Sequence, residues 1–220
     1  MTGHRRSNGS GGRGDQNRRV GPSGAGSGRS RSGQDVRAFL ALLAPPVLID
    51  AAARVQEELR SGLSGARIRW VDPRNFHLTV RFFGDLGPEP VRSVVEMLQT
   101  TELARMEVRF GKCSAFPSEM RPTVLWVSLE DRTGQLSDTV HRLEGELERR
   151  GFGPPDKPWR SHLTLGRVPR DASLRLDPED YRAVRLPTES FFLDELALMK
   201  SELRPQGPLY SAIETVKARV

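Results

Sequence analysis

The chain has 220 residues, with 34 lysines and arginines against 28 acidic residues, and a formal net charge of +6. No apolar run approaches the roughly 18 residues that a membrane span requires, which excludes a transmembrane protein. The single cysteine, Cys113, excludes an internal disulfide framework and is typical of a reducing compartment. We therefore expect a cytoplasmic, globular protein with no membrane partner.

The excess positive charge lies entirely in residues 1–34. This segment holds seven arginines and one acidic residue, whereas residues 35–220 hold 27 basic and 27 acidic side chains. It also contains ten of the 21 glycines and only three apolar residues, so it buries too little surface to offset the entropy of ordering. The sequence predicts a disordered basic leader over 1–34 and a folded unit over 35–220.

Strands and helices alternate along the folded unit. An apolar run at 36–43, stopped by two prolines, predicts a buried strand. Apolar residues at helical spacing predict a helix over 47–59, and alternation predicts a strand over 76–83 that ends in a turn-like Gly-Asp-Leu-Gly-Pro. The remaining predicted segments are a possible strand at 67–71, a helix from 88–90 to 99, strands at 106–110 and 123–129, a helix at 134–149, a strand at 161–168, and extended segments at 190–203 and 209–215. This pattern predicts an α+β or α/β class.

The pattern also repeats with an offset of 85 residues. The shift places Phe-Leu-Ala-Leu at 39–42 on Val-Leu-Trp-Val at 124–127, and His-Leu-Thr-Val at 77–80 on His-Leu-Thr-Leu at 162–165. The helices between these strands also coincide. Self-similarity at a fixed offset indicates two copies of one structural unit, which would face each other about a pseudo-two-fold axis.

Each copy contains one strand with a histidine and a threonine two residues apart. Strict alternation places His77, Thr79 and Arg81 on one face of the first strand and Phe82 on the other. A single such triplet is common by chance, but two at matching places in a repeat indicate a shared functional cleft.

The second copy supplies His162 and Thr164 on one face of its strand. Imidazole gives and takes protons near neutrality, so one histidine can deprotonate water while the other protonates a leaving oxygen. Threonine hydroxyls can donate to oxygens that gain negative charge. This constellation suits metal-free hydrolysis of a phosphodiester.

A zinc site is the competing use of histidine. Zinc normally takes three or four protein ligands, and neither motif carries a cysteine or carboxylate at ligand spacing. We therefore expect neither a metal nor another cofactor.

The paired His-Leu-Thr motifs resemble the signatures of the 2H phosphoesterase superfamily. The order WVDPRNFHLTVRFFGDLG, RPTVLWVSL, WRSHLTLGRV and GPLY is similar to that of the bacterial RNA 2′,3′-cyclic phosphodiesterases, formerly described as 2′-5′ RNA ligases. The resemblance covers residues 36–212. It implies an α+β fold of two pseudo-symmetric lobes around a central cleft, and metal-independent opening of a terminal 2′,3′-cyclic phosphate on RNA to leave a 2′-phosphate.

The resemblance also implies a role for each site residue. His77 would be the proton donor to the departing 3′ oxygen, and His162 the proton acceptor that activates water. Thr79 and Thr164 would hydrogen-bond the phosphoryl oxygens, and Arg167 would hold the phosphate.

Four outer residues complete the predicted substrate-binding set. Simple alternation points Arg167 away from the cleft, and a bulge at Gly166 is needed to turn it back. Arg81 lies on the cleft face by alternation and is predicted to be a cation at the rim. Phe82 and Tyr210 are candidate base-stacking groups, with core packing the stronger expectation for Phe82.

Other functions remain open at this point. The same site could act on small cyclic nucleotides or on 2′-5′ linkages, or seal RNA weakly in reverse. From another class, the chain could be a non-catalytic RNA-binding module whose affinity comes from the arginine-rich leader. RNA ends bearing a 2′,3′-cyclic phosphate are the expected partner, and the expected oligomeric state is a monomer.

Overall fold

The computed structural model describes residues 35–169, 171–172, 175–205 and 207–219; the predicted basic leader lies outside them. The description that follows concerns the unit of residues 33–220. The strands and helices of the described ranges are β1 (Val36–Leu43), α1 (Pro46–Gly62), β2 (Arg69–Trp70), a 3₁₀ turn (Pro73–Asn75), β3 (His77–Leu86), α2 (Pro88–Thr100), β4 (Met106–Pro117), β5 (Pro122–Glu130), α3 (Gln135–Arg149), β6 (His162–Arg167), α4 (Pro178–Arg182), β7 (Phe191–Leu193), β8 (Glu195–Arg204) and β9 (Gly207–Lys217).

The strands form two antiparallel sheets, which confirms the predicted α+β class. The first sheet has the order β3-β1-β8-β9, and the second has the order β2-β6-β5-β4-β7. The two strands with a His-x-Thr motif, β3 and β6, therefore belong to different sheets. Some of their Cα atoms come within 8 Å of each other, so the two strands are neighbours in space.

The helices pack on one face of the sheets and share a continuous apolar core with them. The buried face of α1 includes Leu48, Val55 and Leu59, which recur at helical spacing. From the strands, Leu40 and Leu125 join the same core. Within the described ranges, no helix is long and apolar enough to cross a bilayer.

Several elements extend beyond their predicted limits. β3 continues through the turn-like sequence to Leu86: the pairing with β1 skips Phe83 and resumes at Gly84, which takes a positive φ of 74°. β4 continues to Pro117, since a bulge at Gly111 and Lys112 interrupts the alternation on which the prediction relied. The five-residue helix α4 was not predicted; Asp177 caps it.

Candidate active site

A bulge in β3 determines which of its side chains share a face. Beyond Thr79, the pairing with β1 skips Val80, so this residue is extra on β3. An extra residue reverses the alternation, which places Phe82 on the face of His77 and turns Arg81 to the opposite face. The registered pairs are Leu43–His77, Ala41–Thr79, Leu40–Arg81 and Phe39–Phe82.

An equivalent bulge lies in β6. Its pairing with β5 skips Leu165, so Arg167 shares the face of His162 and Thr164. Gly166 turns towards the core, where an added Cβ would lie 2.8 Å from the side chain of Ile68. The irregularity that Arg167 required to reach the cleft is therefore present, one residue earlier than expected. The registered pairs are Ser128–His162, Trp126–Thr164, Leu125–Gly166 and Val124–Arg167.

We call the face that carries both histidines the cleft face. Phe39, Ala41 and Trp126 are buried on it, but they lie outside the continuous core that the helices share with the sheets. The cleft face thus has its own packing, separate from that core. Its outward-facing members are His77, Thr79 and Phe82 of β3 and His162, Thr164 and Arg167 of β6.

The His77 ring is fixed by one hydrogen bond and two aromatic neighbours. Its Nδ1 lies 2.7 Å from the carbonyl oxygen of Asn75. The ring centroid lies 4.8 Å from that of Phe39 and 5.4 Å from that of Tyr210. Because a carbonyl only accepts, Nδ1 carries the proton and Nε2 is left for chemistry.

The His162 ring is held in the same way. Its Nδ1 lies 2.7 Å from the carbonyl oxygen of Arg160, and its centroid lies 5.3 Å from that of Phe116 and 6.0 Å from that of Trp126. Nδ1 again donates, so both neutral histidines present a bare Nε2 acceptor, and both imidazolium forms present an Nε2–H donor. Either ring can give or take a proton through the same atom.

Burial lowers the pKa of both histidines. For His77, the Asn75 carbonyl opposes this effect, and the positive charges of His162 and Arg167 lower the pKa further. For His162, burial is again the largest cause, and Arg167 also lowers the pKa. The two imidazoles and the guanidinium are therefore close enough to sense one another's charge.

Arg81 does not lie where the sequence placed it. The bulge at Val80 turns its guanidinium away from the cleft face, where Nε donates to Oε2 of Glu144 on α3 at 2.8 Å. The same group also donates to the carbonyl oxygens of Gly153 and Pro154, at 2.9 and 3.1 Å. The prediction that Arg81 is a rim cation for substrate is wrong, because its charge is paired and buried against α3.

Phe82 and Tyr210 border the cleft from the first sheet. Phe82 was predicted on the opposite face, but the bulge leaves its side chain 51% exposed beside the cleft, with the Arg37 guanidinium 4.7 Å from its ring centroid. Tyr210 is half-buried against His77, and burial raises the pKa of its hydroxyl while Arg167 and Arg37 lower it. Tyr210 thus contacts the first histidine, whereas Phe82 forms a separate contact with Arg37.

Sequence reasoning missed several residues around the histidines. Phe39 and Trp126 lie on strands that the repeat had aligned, so the alignment signalled their position but not their contact with the imidazoles. Gln56 is a buried amide on the apolar face of α1, and a polar residue at that helical position was a readable signal. Arg37 gave no signal, because a cation at the start of a strand is ordinary. In the part of the chain that the structure describes, no cluster of three or more His, Cys, Asp or Glu side chains is placed to hold a metal.

A family model described as LigT like Phosphoesterase matches residues 43–126. The RNA 2′,3′-cyclic phosphodiesterase of Methanothermobacter thermautotrophicus is 31% identical over 188 residues, which cover 83% of this chain and 98% of that protein. The chain belongs to the LigT-like 2H phosphoesterase family. The resemblance seen in the paired motifs is therefore confirmed, as is the prediction that the chain is an enzyme of this family.

Further relatives extend this LigT-like assignment. The RNA 2′,3′-cyclic phosphodiesterase of Archaeoglobus fulgidus is 31% identical over 179 residues, covering 80% of this chain and 96% of that protein. The crystal structure of TT0787 of Thermus thermophilus superposes with a TM-score of 0.66 at 24% identity, covering 83% of this chain and 98% of that one. Apo LigT of E. coli gives a TM-score of 0.60 at 18% identity, covering 84% and 98%. These two structures share the fold.

Proposed function

We propose that this LigT-like phosphoesterase opens terminal 2′,3′-cyclic phosphates on RNA and leaves a 2′-phosphate, using its two histidines as general acid and general base. The observation that carries the proposal is the matched pair of imidazoles: His77 and His162 come from neighbouring strands, each hydrogen-bonds a backbone carbonyl through Nδ1, and the charge of Arg167 lowers the pKa of both. The names of the curated relatives supply the substrate class.

The reaction divides between the two strands. Nε2 of His162 takes a proton from water as its oxygen attacks phosphorus, and the bond from phosphorus to the 3′ oxygen breaks. Nε2–H of His77 gives its proton to that leaving oxygen, so one proton enters the pair and one leaves it. The Thr79 and Thr164 hydroxyls donate to the phosphoryl oxygens, and Arg167 holds the anionic phosphate through its forked guanidinium.

Substrate binding sets the protonation states that this mechanism needs. In the free enzyme, burial and Arg167 favour the neutral form of both histidines. A bound phosphodiester brings a negative charge, which favours imidazolium on one ring. Its oxygens can accept from Nε2–H of His77, while His162 stays neutral as the base. No step in this scheme draws on a metal, and both histidines come from one chain, so a monomer suffices.

The first sheet provides a surface for the nucleoside. Phe82 exposes its ring beside the cleft, where we expect a base to stack, and we expect the neighbouring Arg37 to contact the adjoining backbone phosphate. Tyr210 borders the same surface and contacts His77. This arrangement favours an RNA end over an isolated cyclic phosphate, because it offers contacts beyond the reacting group.

Replacement of the histidines tests the mechanism. His77→Ala and His162→Ala should each lower kcat on a 2′,3′-cyclic-phosphate oligonucleotide by about 10²–10⁴-fold, the size of general acid or base catalysis. His141→Ala is the matched control, because His141 lies exposed on α3 and its Nδ1 bonds within that helix, to the carbonyl oxygen of Ser137. A chelator should leave turnover unchanged. Wild-type rates in either cleft variant would contradict the proposal.

Substrate comparison separates the alternatives. Turnover of a cyclic-phosphate oligonucleotide, a cyclic-phosphate mononucleotide and a 2′-5′ dinucleotide should be measured side by side with the full chain. We expect the oligonucleotide to have the largest kcat/KM. A preference for either of the other two would make the enzyme a phosphodiesterase of that kind. Stoichiometric RNA binding without turnover would favour the binding-module hypothesis instead.

A further inference from the structure

One buried amide connects the first helix to the catalytic strand of the other lobe. Gln56 of α1 is 8% exposed, and its Nε2 donates to the carbonyl oxygen of Leu165 at 2.8 Å. The same nitrogen donates to the carbonyl oxygen of Val71, which follows β2, at 2.7 Å. Both protons of the amide are therefore used on backbone groups that flank the site.

Leu165 is the extra residue of the bulge in β6. Its carbonyl oxygen accepts a second hydrogen bond, from the backbone nitrogen of Val71 at 2.9 Å. The Val71 N–H continues the pairing of β2 with β6, so this carbonyl has one backbone partner. The Gln56 amide adds a second, side-chain anchor, which ties the bulge residue to α1.

The bulge decides where the phosphate-binding arginine points. Thr164 faces the cleft, and Leu165 and Gly166 both turn towards the core, so Arg167 faces the cleft again. Without the extra residue, simple alternation would put Gly166 in the cleft and Arg167 behind it. The two groups that anchor the Leu165 carbonyl, the Val71 N–H and the Gln56 amide, therefore act on the residue that sets the direction of Arg167.

The other lobe has a counterpart to this contact. There Glu144 of α3 binds Arg81, the residue directly after the bulge in β3. The helix of each repeat thus reaches across to the His-x-Thr strand of the other repeat, just beyond its threonine. The two contacts are not equivalent positions of the 85-residue repeat, which aligns Gln56 with His141, but each ties a helix to a His-x-Thr strand just beyond its threonine.

We propose that Gln56 is a positioning residue, which holds the β6 bulge so that Arg167 points at the phosphate. The proposal rests on the proposed function, because it assigns Gln56 a task only through Arg167. It makes Gln56 important for phosphate affinity and turnover although its side chain lies behind the site, on α1.

A double-mutant cycle tests this dependence on Arg167. Gln56→Met removes the amide at similar size, and it should lower kcat/KM on a cyclic-phosphate oligonucleotide by about tenfold in the wild-type background. In an Arg167→Ala background the same change should cost less than about twofold, because the arginine to be aimed is gone. Val55→Ala, a buried change on the same helix, is the control for lost packing. Val55→Ala should lower thermal stability. Any loss of kcat/KM that it causes should be the same in the wild-type and Arg167→Ala backgrounds.

Inorganic phosphate provides a readout that does not need turnover. Its affinity, measured by titration calorimetry on the full chain, should fall in Gln56→Met and in Arg167→Ala, and fall no further in the double variant. If the proposed function is wrong, the wild-type protein will bind phosphate but turn over no cyclic-phosphate RNA. The phosphate affinities of the single and double variants would still test the role of Gln56.

Two results would overturn the role of Gln56. One is additive losses in the double variant; the other is unchanged phosphate affinity in Gln56→Met. If the methionine variant does not fold, Gln56→Glu replaces it in the cycle. Its protonated carboxyl can donate only one of the two hydrogen bonds, so we expect an intermediate loss that again disappears in the Arg167→Ala background.

Discussion

The two His-x-Thr strands differ at the residues directly after their bulges. In β3 and β6 the histidine, the threonine and the extra bulge residue stand at the same relative positions. The next cleft position holds Phe82 in one strand and Arg167 in the other. The core-facing position before it holds Arg81 in one strand and Gly166 in the other.

Under the proposed function, this difference would suit a symmetric scaffold to an asymmetric substrate. The shared residues would carry proton transfer, which needs two similar groups on opposite sides of phosphorus. The divergent residues would carry recognition, since an RNA end presents a base in one direction and an anionic phosphate in the other. Phe82 offers its lobe an aromatic surface, and Arg167 offers the other lobe a cation.

Among the residues that differ between the two strands, Arg81 is expected to have the largest effect on stability when replaced. Arg81→Met should lower the free energy of unfolding by about 3 kcal/mol, because it leaves Glu144 buried with its charge unpaired. Urea unfolding would measure this loss. Arg92→Met is the matched control: its ion pair with Glu89 is exposed on α2, so the change should be within about 1 kcal/mol.

The same variant separates structure from substrate binding. Under conditions where it is folded, Arg81→Met should keep the KM of the wild type, because its guanidinium faces α3 and the carbonyls of Gly153 and Pro154. A raised KM with unchanged stability would instead return Arg81 to the cleft, as alternation alone had suggested.

Phe82 occupies the cleft position that Arg167 occupies in the other strand, and we expect it to bind a base of the substrate. Phe82→Ala should weaken binding of a cyclic-phosphate oligonucleotide by about 1–3 kcal/mol, the contribution of one stacked base. The effect should fall on KM and leave kcat nearly unchanged, because Phe82 supplies no proton and no charge. Steady-state kinetics on the oligonucleotide would measure it. Phe192→Ala, an exposed phenylalanine on β7, is the control; an equal loss there, or a fall in kcat alone, would exclude the stacking role.

The sequence predicted the repeat and its histidines well, but it predicted less well on which face of each strand the residues after the threonine lie. Residues at periods of two and about 3.6 identify strands and helices, and the 85-residue offset aligned both motifs. The bulges were less visible, because Val80 and Leu165 are apolar residues in apolar alternation and only the partner strand reveals that they are extra. Gly166 gave a hint in β6, whereas the equivalent Arg81 gave none. Register depends on contacts distant in sequence, so local pattern alone placed Arg81 wrongly.

The smallest expected effect concerns the pH dependence of the pair. The proposed mechanism requires His162 neutral and His77 protonated, so kcat/KM should follow a bell whose acid limb reports His162 and whose alkaline limb reports His77. Arg167 lowers the pKa of both rings, since its charge disfavours a second cation nearby. Arg167→Gln should therefore raise both pKa values and move both limbs to higher pH, by roughly half a unit. The normalised pH profile measures this shift independently of the lost rate.

Arg81→Met is the control and should leave the limbs of the pH profile in place, because Arg81 is paired with Glu144 on the opposite face. Unshifted limbs in Arg167→Gln would mean that Arg167 does not act on the histidines. An equal shift in Arg81→Met would mean that the effect is not specific to Arg167.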